Sequence, residues 1–243
     1  EWNLGVDYSL FGNRLYGKFD YFKRTIDNLI YEVAVPQPPY TQNTQWQNIG
    51  SMEVKGWEFE VGGDIIRTKD FVWSSNLNLS HNSGKIATLW GNNTYKNGNG
   101  FVAPGSPGDA ARMEEGSTIG SFYIWKFAGF DDEGNFLLYD KDNNVIPAKD
   151  KTENDKRYVG NYTPKLIVGW SHTFTYRNFD LGVNLRSWID FDVYNTINMY
   201  YGIQGQGNFN VLKDAYGKFS HIKGEKQICD YYLEDGTFLK IDA

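Results

Sequence analysis

Lys55–Asn82, KGWEFEVGGDIIRTKDFVWSSNLNLSHN, is the stretch whose reading decides the fold. Trp57, Phe59, Val61 and Ile65 alternate with Glu58, Glu60, Gly62 and Asp64. Beyond the polar break Arg67-Thr68-Lys69-Asp70, Phe71, Trp73, Leu77 and Leu79 alternate with Val72, Ser74, Asn76, Asn78 and Ser80. Successive side chains on a strand point to opposite faces, so a period of two predicts strands. Two such runs around a short break predict a β-hairpin. One face of this hairpin is apolar and the other strongly polar. Whether the apolar face meets a protein core or lipid decides what the chain does.

The same pattern recurs on both sides. Trp2, Leu4, Val6, Tyr8 and Leu10 fill alternate positions before the turn Phe11-Gly12-Asn13-Arg14, and a return strand starts at Leu15. A third hairpin begins at Pro164, with Leu166, Val168, Trp170, Phe174 and Tyr176 before Arg177-Asn178 and Phe179, Leu181, Val183, Leu185 and Ile189 after it. Thr237–Asp242 starts a further strand. Three long stretches, 33–51, 84–160 and 191–236, separate these pieces. The first is expected to be irregular, because Pro36, Pro38 and Pro39 remove backbone donors. The second has loop composition from Ser83 to about Thr118, with short strands expected at Phe122–Phe127 and Phe136–Tyr139.

Short turns thus alternate with long loops, the asymmetry of an outer-membrane barrel with tight periplasmic turns and long extracellular loops. Residues 164–176 and 179–190 exceed the ~5–6 residues of globular strands and reach the ~9–11 that cross a bilayer at a tilt. A solvated sheet in a soluble β protein would look the same strand by strand. The pattern alone leaves both readings open.

Composition narrows the classes. Aromatic residues at 17% and 26 Gly favour strands and turns. No run approaches the ~18–20 apolar residues of a membrane helix, which leaves a barrel untouched. The net charge of -6 argues against nucleic acid as a partner. Cys229 stands alone, so there is no internal disulfide or cysteine metal framework. The chain opens at Glu1, and a fragment or processed form is expected.

Catalytic and metal-binding motifs fail in turn. There is no HExxH, GxSxG, P-loop or dinucleotide fingerprint. His81, His172 and His221 are scattered, and His172 falls on the apolar parity of its strand as a packed or interfacial imidazole. Asp140-Lys141-Asp142-Asn143-Asn144 opens like a calcium loop, but Val145 replaces the turn glycine and Lys151 the closing carboxylate, so a solvated hairpin is favoured. Asp131-Asp132-Glu133-Gly134-Asn135 reads as a turn. Glu58 and Glu60 share a face without a third group beside them. No catalytic residue, cofactor or metal site is expected, and the chain is read as a non-enzyme. The candidate substrate contacts are loop aromatics among Asn, Gln and Gly: Trp46, Trp90, Tyr95, Tyr123, Trp125, Tyr194, Tyr200 and Tyr201. Such rings give large contact area to sugars or peptide backbones at low entropy cost.

Four stretches resemble the SusC/RagA-type TonB-dependent transporters. Asn3-Leu4-Gly5-Val6-Asp7 with Asn13-Arg14-Leu15 and Asp20–Ile30 is similar to that family's "Gly-hydrophobic-Asp, turn, Tyr-x-Lys-x-Thr-x-Asp-x-Leu" hairpin. Asn48–Met52 with Lys55-Gly56-Trp57-Glu58, Val159–Lys165 (VGNYTPK) and Asp235–Ile241 (DGTFLKI) resemble three further signatures in the family's order. Each is weak alone; together they span nearly the whole chain. The resemblance implies an all-β transmembrane antiparallel β-barrel, here residues 1–243 of a larger barrel of about 22 strands. The plug domain, early strands and last strands are then absent. It also implies TonB-dependent import across the outer membrane of oligosaccharides or oligopeptides. Expected partners are a SusD-like surface lipoprotein, the TonB complex acting through the absent plug, and outer-membrane lipid. The alternative from another class is a soluble secreted β protein that binds glycans through the same aromatics.

Overall fold

The computed structural model describes residues 1–48, 50–89, 95–97, 110–205 and 210–242. Seven strands build one antiparallel sheet: β1 (Trp2–Leu10), β2 (Leu15–Asp27), β3 (Ser51–Arg67), β4 (Phe71–Thr88), β5 (Leu166–Tyr176), β6 (Phe179–Ile189) and β7 (Phe238–Ile241). Each pairs with the next in chain order, so the sheet is an up-and-down meander. The tight connections are those expected. Phe11, Gly12 and Asn13 all take positive φ, and Arg177 turns between β5 and β6 at φ 52.

Register fixes the two faces. Phe59, Leu79 and Val168 share one rung, and Val61, Leu77, Trp170 and Leu185 the next, so the apolar parity is continuous across four strands. The aromatic row Phe71, Tyr176 and Phe179 borders this band at the turn end. Tyr21, Trp57 and His81 border it at the other end, and one rung further the parity becomes charged, with Lys23 opposite Lys55 and Glu53 on Lys23 at 2.5 Å. From Phe71 to His81 is about 33 Å of strand at ~3.3 Å per residue. A tilt of about 40° reduces this to about 25 Å, the height of the apolar band of a membrane barrel.

The opposite face is a hydrogen-bonded polar lattice. Glu60 meets Lys18 at 3.6 Å and accepts from the Asn76 amide at 2.8 Å. Ser74 donates to Asp64 at 2.7 Å, and Thr175 to Asp180 at 2.7 Å. Gly62 on this face is covered by an aromatic ring from the neighbouring strand: a Cβ there would lie 2.6 Å from the Tyr16 ring.

Three local expectations are corrected. Strict alternation in the opening hairpin ends at Asp64, where a bulge before Ile66 puts Ile66, not Ile65, opposite Trp73. The stretch 33–51 is not irregular throughout: Ile30–Ala34 pairs with Thr44–Asn48, and the prolines sit in the connection, where a missing donor costs nothing. β4 runs on to Thr88, past the expected loop start at Ser83.

The hydrophobic core lies elsewhere. Leu4, Val6, Phe179 and Leu181 on the wall are 60%, or nearly so, to 76% exposed, whereas Phe122, Ile124, Phe136, Leu138, Met199, Ile203, Ile222 and Cys229 are all at most 2% exposed. Every one of those buried residues belongs to the long connections. The wall therefore leaves its apolar side uncovered, which in water would be a liability and in lipid is the stable arrangement.

Candidate substrate vestibule in the long loops

The second and third long connections fold together into one unit above the sheet. Ser121–Ile124 pairs with Arg157–Asn161, and Lys126–Phe130, Phe136–Tyr139 and Val145–Pro147 form a three-stranded sheet. Asp192–Tyr194 pairs with Leu233–Asp235, and the helix Thr196–Tyr201 starts where the Asn195 side chain accepts from the Asn198 N–H at 2.8 Å. The two connections are stitched at Trp125. Its N–H donates to the Ile228 carbonyl at 3.3 Å, and its own carbonyl accepts from Asp230 at 3.1 Å. Asp230 in turn accepts the Phe127 N–H at 2.6 Å. Burial pushes the Asp230 carboxyl above the ordinary carboxylate range, although that hydrogen bond and the Lys126 and Arg157 charges pull the other way.

The proposed aromatics separate into three groups. Trp125 and Tyr194 are core residues, 7% and 6% exposed, which corrects their reading as ligand contacts. Trp125 donates its indole N–H to the Thr152 carbonyl at 2.8 Å, with the Lys156 ammonium 4.3 Å from its ring; the Tyr194 hydroxyl meets Met199 Sδ at 3.3 Å. Tyr194 ends the short strand Asp192–Tyr194, and Trp125 lies between two short strands at an isolated bridge to Cys229, pairings too brief to read from sequence. Trp46 is 68% exposed on the first-loop hairpin, while Tyr123, Tyr200 and Tyr201 are half-buried in the second and third connections. Tyr95 stands opposite Glu114 in the pairing of Tyr95–Asn97 with Arg112–Glu114. Trp90 lies outside the described residues.

Tyr123 is the best-developed of these positions, and its surroundings were missed from sequence. Tyr158 faces it across the strand pair with ring centroids 5.0 Å apart, and the Arg112 guanidinium sits 3.8 Å above the Tyr123 ring. The Tyr158 hydroxyl donates to Glu114 at 2.8 Å, and burial together with that carboxylate pushes the phenol up to about 12. The group offers aromatic faces beside one cation and one anion. Cross-strand spacing (Tyr123 with Tyr158) is the signal that could have found it, had the short strands been placed.

The two acidic turns are closed by their own amides. Asp131 Oδ1 accepts from the Glu133 and Asn135 backbones at 3.0 and 2.8 Å, and Asp140 Oδ1 accepts from those of Asp142 and Asn144 at 2.8 Å each. Asn135 and Asn144 side chains cap the second oxygens at 2.9 Å each. These bonds, the Asn amides first, hold both carboxyls below the ordinary carboxylate range. Among the described residues no group of three or more His, Cys, Asp or Glu side chains is disposed to hold a metal ion. His172 is a packed imidazole on the outer face: Trp73 Nε1–H donates to its Nδ1 at 3.3 Å, and the Trp170 ring lies 4.5 Å away.

An antiparallel meander with an apolar band on one face, a polar lattice on the other, short turns at one end and a folded loop layer at the other has the pattern of the wall of a transmembrane β-barrel of the outer-membrane type. Comparison with known proteins sharpens this: the family model "TonB dependent receptor-like, beta-barrel" matches residues 1–195, and the chain belongs to that family. It is 28% identical over 267 residues to TonB-dependent receptor P3 of Formosa agariphila, covering 98% of this chain and 26% of that protein. It is 26% identical over 256 residues to TonB-dependent receptor SusC of Bacteroides thetaiotaomicron, covering 99% and 25%. The solved RagAB peptide transporter superposes with a TM-score of 0.76 at 21% identity, over 98% of this chain and 27% of that one. The SusC/RagA-type resemblance is thus borne out, and the chain spans about a quarter of the length of the curated relatives it matches.

Proposed function

We infer that this chain forms part of the wall and the extracellular vestibule of a TonB-dependent outer-membrane importer. The observation that carries the reading is the inversion of burial: the wall exposes its apolar face, while the loops keep a core of their own. Membership of the TonB-dependent barrel family supports it. The remaining wall and a plug are contributed by other segments of the whole protein. Among the described residues the outer edges of β1 and β7 have no neighbour, and in lipid an open edge leaves backbone groups unpaired at several kcal/mol each. In this reading the turns at Phe11–Arg14, Thr68–Asp70 and Arg177–Asn178 face the periplasm, and no bond of the substrate is made or broken.

The cargo class is an oligosaccharide or oligopeptide, consistent with a peptide transporter and SusC standing among the similar proteins. A SusD-like lipoprotein closes over the loops, and TonB acts through the plug. The platform of Tyr123, Tyr158, Arg112 and Glu114 is the first contact assigned to cargo, and Trp46, Tyr95, Tyr200 and Tyr201 remain further candidates in the loops. Uptake of fluorescent oligosaccharides and oligopeptides by cells carrying the full-length gene, with and without TonB, tests the reading. TonB-dependent accumulation of one class supports it. Entry independent of TonB, or a full-length protein that is monodisperse without detergent, overturns it.

A further inference from the structure

We propose that the outer face of the wall carries a built site for one phospholipid of the periplasmic leaflet, a proposal that rests on the membrane reading above. A groove of about 490 Å³ is sunk into the lipid-facing parity at the turn end of β2, β3 and β4. Gly63 and Ser75, opposite each other in register, form its floor, and Leu15, Val61, Leu77 and Trp170 its sides. The floor cannot be filled by a side chain at Gly63, because a Cβ there would fall 2.2 Å from the Arg14 carbonyl. That close approach is fixed by the Asp64 N–H donating to the same carbonyl at 3.0 Å. The Trp170 indole N–H donates to Ser75 Oγ at 2.9 Å, which holds the ring beside the groove. A depression with apolar sides on a surface that faces hydrocarbon takes an acyl chain, since no other apolar group is available at that depth.

The mouth supplies the second half of the recognition. Phe11 and Arg14, from the β1–β2 turn that the membrane reading assigns to the periplasmic side, line it. The one carboxylate of the lining, Asp64, is paired with Arg67 and accepts from Ser74. Arg14 forms no side-chain hydrogen bond or ion pair among the described residues. A free guanidinium at the end of an apolar groove is complementary to a phosphate that is covalently attached to the chain filling that groove.

The test uses the full-length transporter, purified in detergent, delipidated and titrated with phosphatidylglycerol or with diacylglycerol, with bound lipid counted by native mass spectrometry. The wild type should retain one phosphatidylglycerol tightly and bind diacylglycerol more weakly. Arg14→Gln should weaken phosphatidylglycerol about fivefold and leave diacylglycerol unchanged. Ser75→Phe, which fills the floor, should remove the tight lipid of either kind. Arg14→Gln lies on an exposed turn, so it stays informative if Ser75→Phe misfolds. Equal lipid counts in wild type and Arg14→Gln, in a protein that still shows heat-modifiable migration, would overturn the site alone. A wild type that is soluble without detergent would overturn the membrane wall and the site with it. Capture of a protein in place of lipid would also refute the site.

Discussion

Val183→Arg against Asn184→Arg is the sharpest test of which face meets lipid. The two residues are adjacent on β6, so their side chains point to opposite sides of the sheet. Val183 is opposite His172 on the apolar parity, and Asn184 is opposite Ser171 on the polar one, next to Arg186. Four residues separate Val183 from Phe179 at the turn, which at ~3.3 Å per residue and a tilt of about 40° puts it about 10 Å above the aromatic row, near the middle of the ~25 Å band. An arginine on the lipid face there costs ~2–4 kcal/mol, a shift of about 30- to 700-fold in the folding equilibrium. An arginine at Asn184 enters a wet lumen that already holds Arg186 and Asp180, and its cost should stay below about 1 kcal/mol. Urea titration of the full-length protein folding into lipid vesicles, followed by heat-modifiable migration, measures both. Equal shifts, or a larger shift for Asn184→Arg, would refute the assignment of the faces.

Four further predictions address the loop layer. Cys229 is fully buried and burial pushes its thiol up to about 12, so iodoacetamide at pH 8 should leave it unmodified by mass until denaturant is added; rapid native labelling would contradict the shared core. Asp230 holds its proton more tightly folded than unfolded, so its contribution to stability is fullest below the ordinary carboxylate range and is lost as pH rises through the raised value. Asp230→Asn keeps an acceptor for the Phe127 N–H and should flatten the pH dependence of hydrogen exchange at that amide; an unchanged slope refutes the role. Trp125→Phe removes the bond to the Thr152 carbonyl and should destabilise the loop layer by ~1–3 kcal/mol, read as faster proteolysis there. Tyr123→Ala should lower uptake while leaving that proteolysis unchanged, and identical behaviour of the two variants would erase the distinction between core and platform.

The wall was legible in sequence because lipid on one side and water on the other impose a period of two over 9 to 18 residues at a stretch. It failed where the backbone departs from that period, at the bulge before Ile66, since an inserted residue leaves no compositional mark. The loops were opaque for a different reason. Strands of three to five residues such as Ser121–Ile124 and Asp192–Tyr194 are too short to display a period, and their pairing joins residues far apart in the chain. Trp125 and Tyr194 consequently looked like exposed aromatics in a polar setting, when the tertiary pairing of two connections buries them.

That division follows from how each region meets its solvent. The wall obtains its apolar environment from the bilayer and needs no opposing layer, so its strands depend on neighbours along the sheet and on a polar interior satisfied rung by rung. The loop layer stands in water and must bury its own apolar surface, and neither long connection alone holds enough of it. Phe122, Ile124, Phe136 and Leu138 come from one connection, and Met199, Ile203, Ile222 and Cys229 from the other. Joining them produces a folded cap carried by β4, β5, β6 and β7, the strands that lead into and out of the two connections. A cap with its own core can hold Tyr123, Tyr158, Arg112 and Glu114 in a fixed geometry, which two independent flexible loops could not do.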